Sequence, residues 1–268
     1  QNNYFETISG VGGTCDILSV SGSGSGTISG NYITNISGAV SGTGIRAILS
    51  STGTQTFSGN FINTISNTNG NVQGISIGAG GTSITVSQNT IHTLSSSAAS
   101  STVSGISFTS GNVLNIIKNT IYGLSQSNAT VNTTNGAVNG IQIGSLLSGN
   151  TANIYNNLIG NLTAPNASSS TIEAIRGINI IATASSTITL YYNTIYINAT
   201  GGAEFSTSGI YHFSNGTSSI ARLVMKNNII VNKSTPSGSS GRTVALRRSS
   251  SVLNNYYSVS PLICNNNL

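Results

Sequence analysis

The string NTIHTL at Asn89–Leu94 is followed thirty residues later by NTIYGL at Asn119–Leu124, and these two stretches set the reading of the whole chain. The pattern N-x-I-x-x-[I/L] recurs at Asn31 (NYITNI), Asn60 (NFINTI) and Asn157 (NLIGNL), with weaker copies at Asn3, Asn193, Asn228 and Asn255. Successive spacings are 28, 29, 29, 30, 38, 36, 35 and 27 residues. A period in this range signals stacked supersecondary units, each unable to bury its apolar face alone. An apolar side chain stands three residues before each Asn: Ile28, Phe57, Val86, Ile116, Ile154, Leu190, Met225 and Val252. A third landmark is an Ile that follows Gly: Ile45, Ile75, Ile106, Ile141, Ile178 and Ile210, with Val244 in the last full repeat.

Each repeat thus holds three apolar clusters. Within them side chains alternate, as in Ile75-Ser-Ile77 and Ile188-Thr-Leu190. Alternation of β-branched residues reads as strand, and no segment has a helical period. Charged residues are 5% of the chain, too few for the ion pairs that lace surface helices. The expectation is an all-β, right-handed parallel β-helix of eight to nine coils with three short strands per coil, a single domain over 1–268. Coil-to-coil spacing is about 4.8 Å, so like residues fall into columns. Ile33, Ile62, Ile91, Ile121, Ile159, Ile195 and Ile230 should form one inward column. Asn31, Asn60, Asn89, Asn119, Asn157, Asn193 and Asn228 should form another, each amide donating and accepting along the axis. The Gly before each Ile is expected to supply a corner angle that other residues adopt poorly.

The chain resembles the right-handed parallel β-helix proteins, and within them the secreted Asn/Ser/Thr/Gly-rich repeat proteins of gliding and marine bacteria of Bacteroidota type. The N-T-I-Y segments Asn119–Tyr122 and Asn193–Tyr196, R-G-I at Arg176–Ile178 and N-N-Y-Y at Asn254–Tyr257 carry the likeness. It implies a fold more than a function, since such coils serve as lyases, hydrolases, adhesins and rods alike.

The low charge and abundant hydroxyls and amides suggest an extracellular or cell-surface protein. There is no leader, no run of eighteen apolar residues and no lipidation signal, and a chain beginning at Gln1 reads as a mature or excised piece. Membrane insertion is not expected. Cys15 and Cys264 should lie at opposite ends of the rod, too far apart for a bridge within one chain. They are either free thiols or an intermolecular disulfide from Cys264 of one copy to Cys15 of the next. Neither terminus reads as a cap, so the coil ends are expected to meet copies of the chain or neighbouring segments.

Catalysis on this fold draws on clustered carboxylates or a carboxylate-bound calcium. The chain has four acids, Glu6, Asp16, Glu173 and Glu204, with no calcium-loop pattern. Glu173 and Glu204 precede corresponding Ile strands and could sit one coil apart beside Arg176, as an acid/base cluster or as a solvated loop pair. His92 and His212 lack partners at ligand spacing, so no metal or cofactor is expected. Six of the nine basic residues fall in the last fifth: Arg222, Lys226, Lys233, Arg242, Arg247 and Arg248. They are expected to form a patch for an anionic glycan or acidic neighbour; no motif points to nucleic acid.

His92, Tyr122 and Tyr196 are outward rings that hint weakly at sugar binding. Insertions after the Asn strand, at 126–136, 163–173, 200–208 and 233–241, should project from one face, where binding often resides. The leading expectation is a non-catalytic structural or adhesive rod, a filament subunit or adhesin stalk that self-associates head to tail and meets surface glycans. A carbohydrate-active lyase or hydrolase, or a glycan-binding module, is the alternative. Ice binding through Thr90, Thr120 and Thr194 ranks last, because Tyr32, Phe61, Leu158 and Ile229 interrupt the row.

Overall fold

A computed structural model describes residues 1–128, 135–169, 171–181, 186–213, 221–248 and 264–268. Every strand pairing in it is parallel, and strands of successive coils stack to form a β-solenoid. Its Asn face is an eight-stranded sheet: Tyr4–Gly12, Tyr32–Val40, Phe61–Asn67, Thr90–Ser96, Thr120–Gln126, Leu158–Thr163, Thr194–Ile197 and Ile229–Asn232. The glycine face comprises Cys15–Val20, Ile45–Ser50, Val72–Ile77, the first part of Val103–Ile117, Val138–Leu146, Ile175–Ile180, Thr207–His212 and Thr243–Arg248. The return face comprises Ser25–Ser29, Gly53–Ser58, Gly81–Ser87, the rest of Val103–Ile117, Thr151–Tyr155, Thr187–Tyr191, Arg222–Lys226 and Cys264–Asn265. The fifteen-residue strand Val103–Ile117 turns the corner between the last two faces and joins them into one sheet. Eight strands per face make seven full turns from the first Asn strand to the last, against the eight to nine coils expected.

The inward columns are in register. Ile33, Ile62, Ile91, Ile121, Ile159 and Ile195 stack at zero exposure, and Ile230 ends the column. Each fully buried Ile contributes roughly 1.5–3 kcal/mol of apolar burial. The column before the ladder Asn runs from Ile28 through Phe57, Val86, Ile116, Ile154 and Leu190 to Met225, and the backbone register continues to Cys264. One apolar core therefore runs the length of the coil.

Two sequence assignments shift. Ile48, not Ile45, stands in the column of Ile75, Ile106, Ile141, Ile178 and Ile210, and Leu246, not Val244, closes it. Ile45 lies in the column of Val72 and Val103 instead. The glycines before these isoleucines are also not angle donors. Only Gly44 has positive φ. Gly105 is required by space: a Cβ there would lie 2.5 Å from Ile121 Cγ2 and 2.7 Å from the Gly140 carbonyl. The Ile column of the Asn face fills the volume that a side chain would need.

The left-handed angle falls at the other corner. The residue immediately before each ladder Asn has φ between 50° and 64°: Asn2, Gly30, Gly59, Gln88, Lys118, Asn156, Tyr192, Asn227 and Asn266. That turn swings the next amide inward. The rung after Asn228 is Asn267. The copy at Asn255, with Val252 and the N-N-Y-Y segment, lies outside the described residues.

Candidate functional site

The ladder is a chain of shared acceptors. The backbone N–H and the side-chain amide of Asn89 both donate to Asn119 Oδ1, at 3.0 and 2.9 Å. Asn119 does the same to Asn157, and its amide also reaches back to the Val86 carbonyl at 2.9 Å. The same bonds link Asn3, Asn31, Asn60, Asn89, Asn119, Asn157, Asn193, Asn228 and Asn267 without a break. Asn31 through Asn228 are each 1% exposed. Burying so many amides is tolerable only because each finds partners in both neighbouring coils. The ladder has a direction: every amide donates to the Oδ1 of the following coil.

Outside, the Asn face carries stacked rings. Tyr4 and Tyr32 lie 4.9 Å apart at 8°, Tyr32 and Phe61 4.8 Å apart at 12°, and His92 and Tyr122 4.7 Å apart at 7°. An edge contact from Phe61 to His92 joins the two groups. In the sequence Tyr32 and Phe61 interrupt a row of threonines. The register confirms the interruption, since Tyr4, Tyr32, Phe61, Thr90, Thr120, Leu158, Thr194 and Ile229 share one column. Face-to-face stacking occupies the faces on which a sugar would lie and presents ring edges outward. This argues against a flat sugar platform. Burial lowers the His92 pKa, and its Nδ1 lies 2.9 Å from Thr93 Oγ1.

The acidic candidates are not brought together. Glu173 is completely buried and forms ion pairs with Arg176, at 3.5 Å, and with Arg247. It is not a solvated loop residue. Arg176 donates to Asn179 Oδ1 at 3.0 Å, and its guanidinium lies 3.7 Å from the Tyr211 ring centre. Burial lowers the Arg176 pKa to about 10, opposed by Tyr211. Glu204 accepts instead from the N–H groups of Ser239 (3.2 Å) and Ser240 (2.9 Å), one coil further on. The other two acids are also tied across coils, Asp16 to Arg46 and Glu6 to Asn35. Among the described residues no group of three His, Cys, Asp or Glu side chains could hold a metal ion.

The insertions form a ledge rather than free projections. Gly202 N–H donates to the Ala167 carbonyl, Ser169 N–H to the Glu204 carbonyl, and Phe205 N–H to Ser237. Phe205, Ala164 and Ala167 are fully buried within these stacked loops. Of the first insertion, 129–134 lies outside the described residues.

The basic residues are divided between two faces. Arg222 and Lys226 lie on the return face, Arg247 and Arg248 on the glycine face and Arg242 at its edge. Arg247 is engaged by Glu173 and faces Tyr211 at 5.9 Å. Cys15 is a free, half-buried thiol in the first glycine-face strand; burial, then Asp16, raises its pKa. Cys264 is in the last return-face strand, so the two cysteines occupy opposite ends and different faces. A copy stacked in register would set Cys264 against Ile28, not against Cys15, so the coil geometry disfavours the intermolecular bridge. No family model, no curated protein and no solved structure matches this chain.

Proposed function

We propose that the chain is a non-catalytic rod module of an extracellular or cell-surface assembly, an adhesin stalk or filament segment. The observation that carries this reading is the unbroken Asn ladder, together with its polarity. A directional ladder is self-complementary: the Asn3 Oδ1 suits a preceding donor coil and the Asn267 N–H suits a following acceptor. Head-to-tail contacts that do not close into a ring build open filaments. The coil supplies stiffness, because backbone pairing, amide column and apolar core all run along the axis.

The carbohydrate-active alternative needs Glu173 and Glu204 at one bond. Their separate partners, two arginines for one and a serine pair for the other, speak against it. The likeness to secreted Bacteroidota-type repeat proteins belongs to this reading and rests on its short sequence segments. A surface glycan could meet Arg222 and Lys226, which are half-exposed on the return face.

Negative-stain microscopy across a concentration series tests the proposal. Uniform fibres that lengthen with concentration are expected. Dispersed short particles at every concentration, with turnover of any polysaccharide, would replace the rod with an enzyme.

A further inference from the structure

The Asn face stands apart in its charge. Its eight strands contain one Lys, Arg, Asp or Glu, namely Glu6. All nine basic residues lie elsewhere: Arg46, Arg176, Arg247 and Arg248 on the glycine face, Arg222 and Lys226 on the return face, and Lys118, Lys233 and Arg242 at corners. Exposed apolar groups are distributed the other way. Tyr4, Tyr122, Leu158, Tyr196, Ile229 and Val231 on this face are six of the ten large exposed hydrophobic residues among those described. Together with Tyr32, Phe61 and His92 they form a stripe from the first coil to the last. A contiguous exposed apolar stripe bordered by polar residues marks an interaction surface.

We propose that this face pairs two copies of the chain side by side, with their axes antiparallel. Three observations select that partner. The chain carries a net charge of +5, so copies repel through their other faces, while this one brings no cation against another. Antiparallel pairing lays the first coil over the last, which sets Glu6 near the exposed Lys233 just after the final Asn strand; parallel pairing sets Glu6 against Glu6. It also lays aromatic rings of the early coils over apolar side chains of the late ones. Tyr4 meets Ile229, Phe61 meets Leu158, and His92 meets Tyr122 about the two-fold axis. Such an isologous contact is closed and self-complementary.

The size fits as well. Eight strands at about 4.8 Å, crossed by about four residues at roughly 3.3 Å, give a footprint of roughly 500 Å² per copy, near the lower bound for a specific pair. A neutral glycan sheet is a poorer occupant. The ring faces are already stacked on each other, and Leu158, Ile229 and Val231 offer no hydrogen bonds.

Sedimentation velocity of wild type and Tyr122→Glu is the test. Wild type is expected to dimerise. Tyr122→Glu places two carboxylates at the two-fold axis and should raise the dimer Kd by about 30-fold or more, with an unchanged circular dichroism spectrum. Lys233→Glu should weaken the pair, and adding Glu6→Lys should restore it. A wild-type monomer at about 100 μM, well above the Kd of a specific pair, would overturn the proposal. So would a dimer indifferent to Tyr122→Glu, or binding to insoluble cellulose that needs Tyr122 without any dimer. Micrographs separate this idea from axial stacking: lateral pairing reads as width, stacking as length. Long single-width fibres would keep the rod and sink the pair; short double-width particles would do the reverse.

Discussion

Two of the buried polar systems among the described residues are built on opposite principles. The amide ladder repeats one interaction at every coil from Asn3 to Asn267, using uncharged groups whose partners always sit one coil away. The Glu173 cluster occurs once. It gathers Arg176 and Asn179 from one coil, Tyr211 from the next and Arg247 from the one after. A ladder tolerates the loss of a rung near its end because the remaining rungs keep their partners. A single ion cluster has no such redundancy, and a buried charge left alone is costly.

The largest expected effect comes from breaking the cluster. Glu173→Gln removes the buried carboxylate that pairs with the fully buried Arg176 and should destabilise the fold by about 3–5 kcal/mol in urea titrations. Adding Arg176→Met should recover part of that loss, since it removes the stranded charge. A cost under about 0.5 kcal/mol for Glu173→Gln, the level of an ordinary surface change, would show that the cluster contributes nothing to stability.

His212, beside Arg248 in the glycine-face register, sets the next effect. Burial lowers its pKa to about 4, with Arg248 adding to the shift and a backbone bond at Ala221 opposing it. The folded state therefore holds neutral imidazole where the unfolded chain binds a proton. This contribution is complete above about pH 6.5 and is lost as pH falls toward 4, about 3 kcal/mol in all. His212→Gln should flatten that limb of the pH–stability curve. The ladder, having no titratable group, should add no slope of its own.

Within the ladder, position decides the cost. Asn119→Ala strips the acceptor from the buried Asn89 N–H and the donor from the Val86 carbonyl, so it should cost about 2–3 kcal/mol. Asn3→Ala removes only donation to Asn31 and should cost under about 1 kcal/mol. Equal costs at both positions would mean that the column is not the cooperative unit described.

How much was legible follows from the same contrast. A repeated interaction leaves a period, so the coil, the amide column and the Ile column could be read from NTIHTL and its copies. Sequence and structure diverge where the period carries no phase. Gly44-Ile45 looks like Gly74-Ile75, yet register places Ile48 beside Ile75 because loop lengths between coils differ. The ladder read from the repeat ends at Asn228, whereas the hydrogen bonds carry it one rung further to Asn267, where the string N-x-I-x-x-[I/L] does not recur. The burial of Glu173 could not be read at all. Arg176 is only three residues away, but Arg247 lies two coils further on, and the ledge that encloses Phe205 is built by insertions whose stacking has no sequence period.

The smallest effect tests whether the ladder's corner is itself strained. Four residues after the ladder Asn, six coils carry a second left-handed residue: Thr7, Asn35, Thr64, Thr93, Gly123 and Asn161. Asn and Gly accept this angle readily, whereas a β-branched residue is a true outlier there. Thr93→Gly should therefore stabilise the protein by up to about 1 kcal/mol, as strain relief exceeds the added freedom of the unfolded chain. Gly123→Thr, one coil further in the same column, should cost about 1–2 kcal/mol, because a Cβ there also comes within 3.3 Å of the Thr93 N. If both changes destabilise, the threonines are held by contacts of their own. The last two coils supply the control: Ile197 and Asn232 occupy the same position without the left-handed angle, and their strands shorten to four residues. The second bend thus goes with Asn strands of six residues or more, and the left-handed Thr93 belongs to a longer strand.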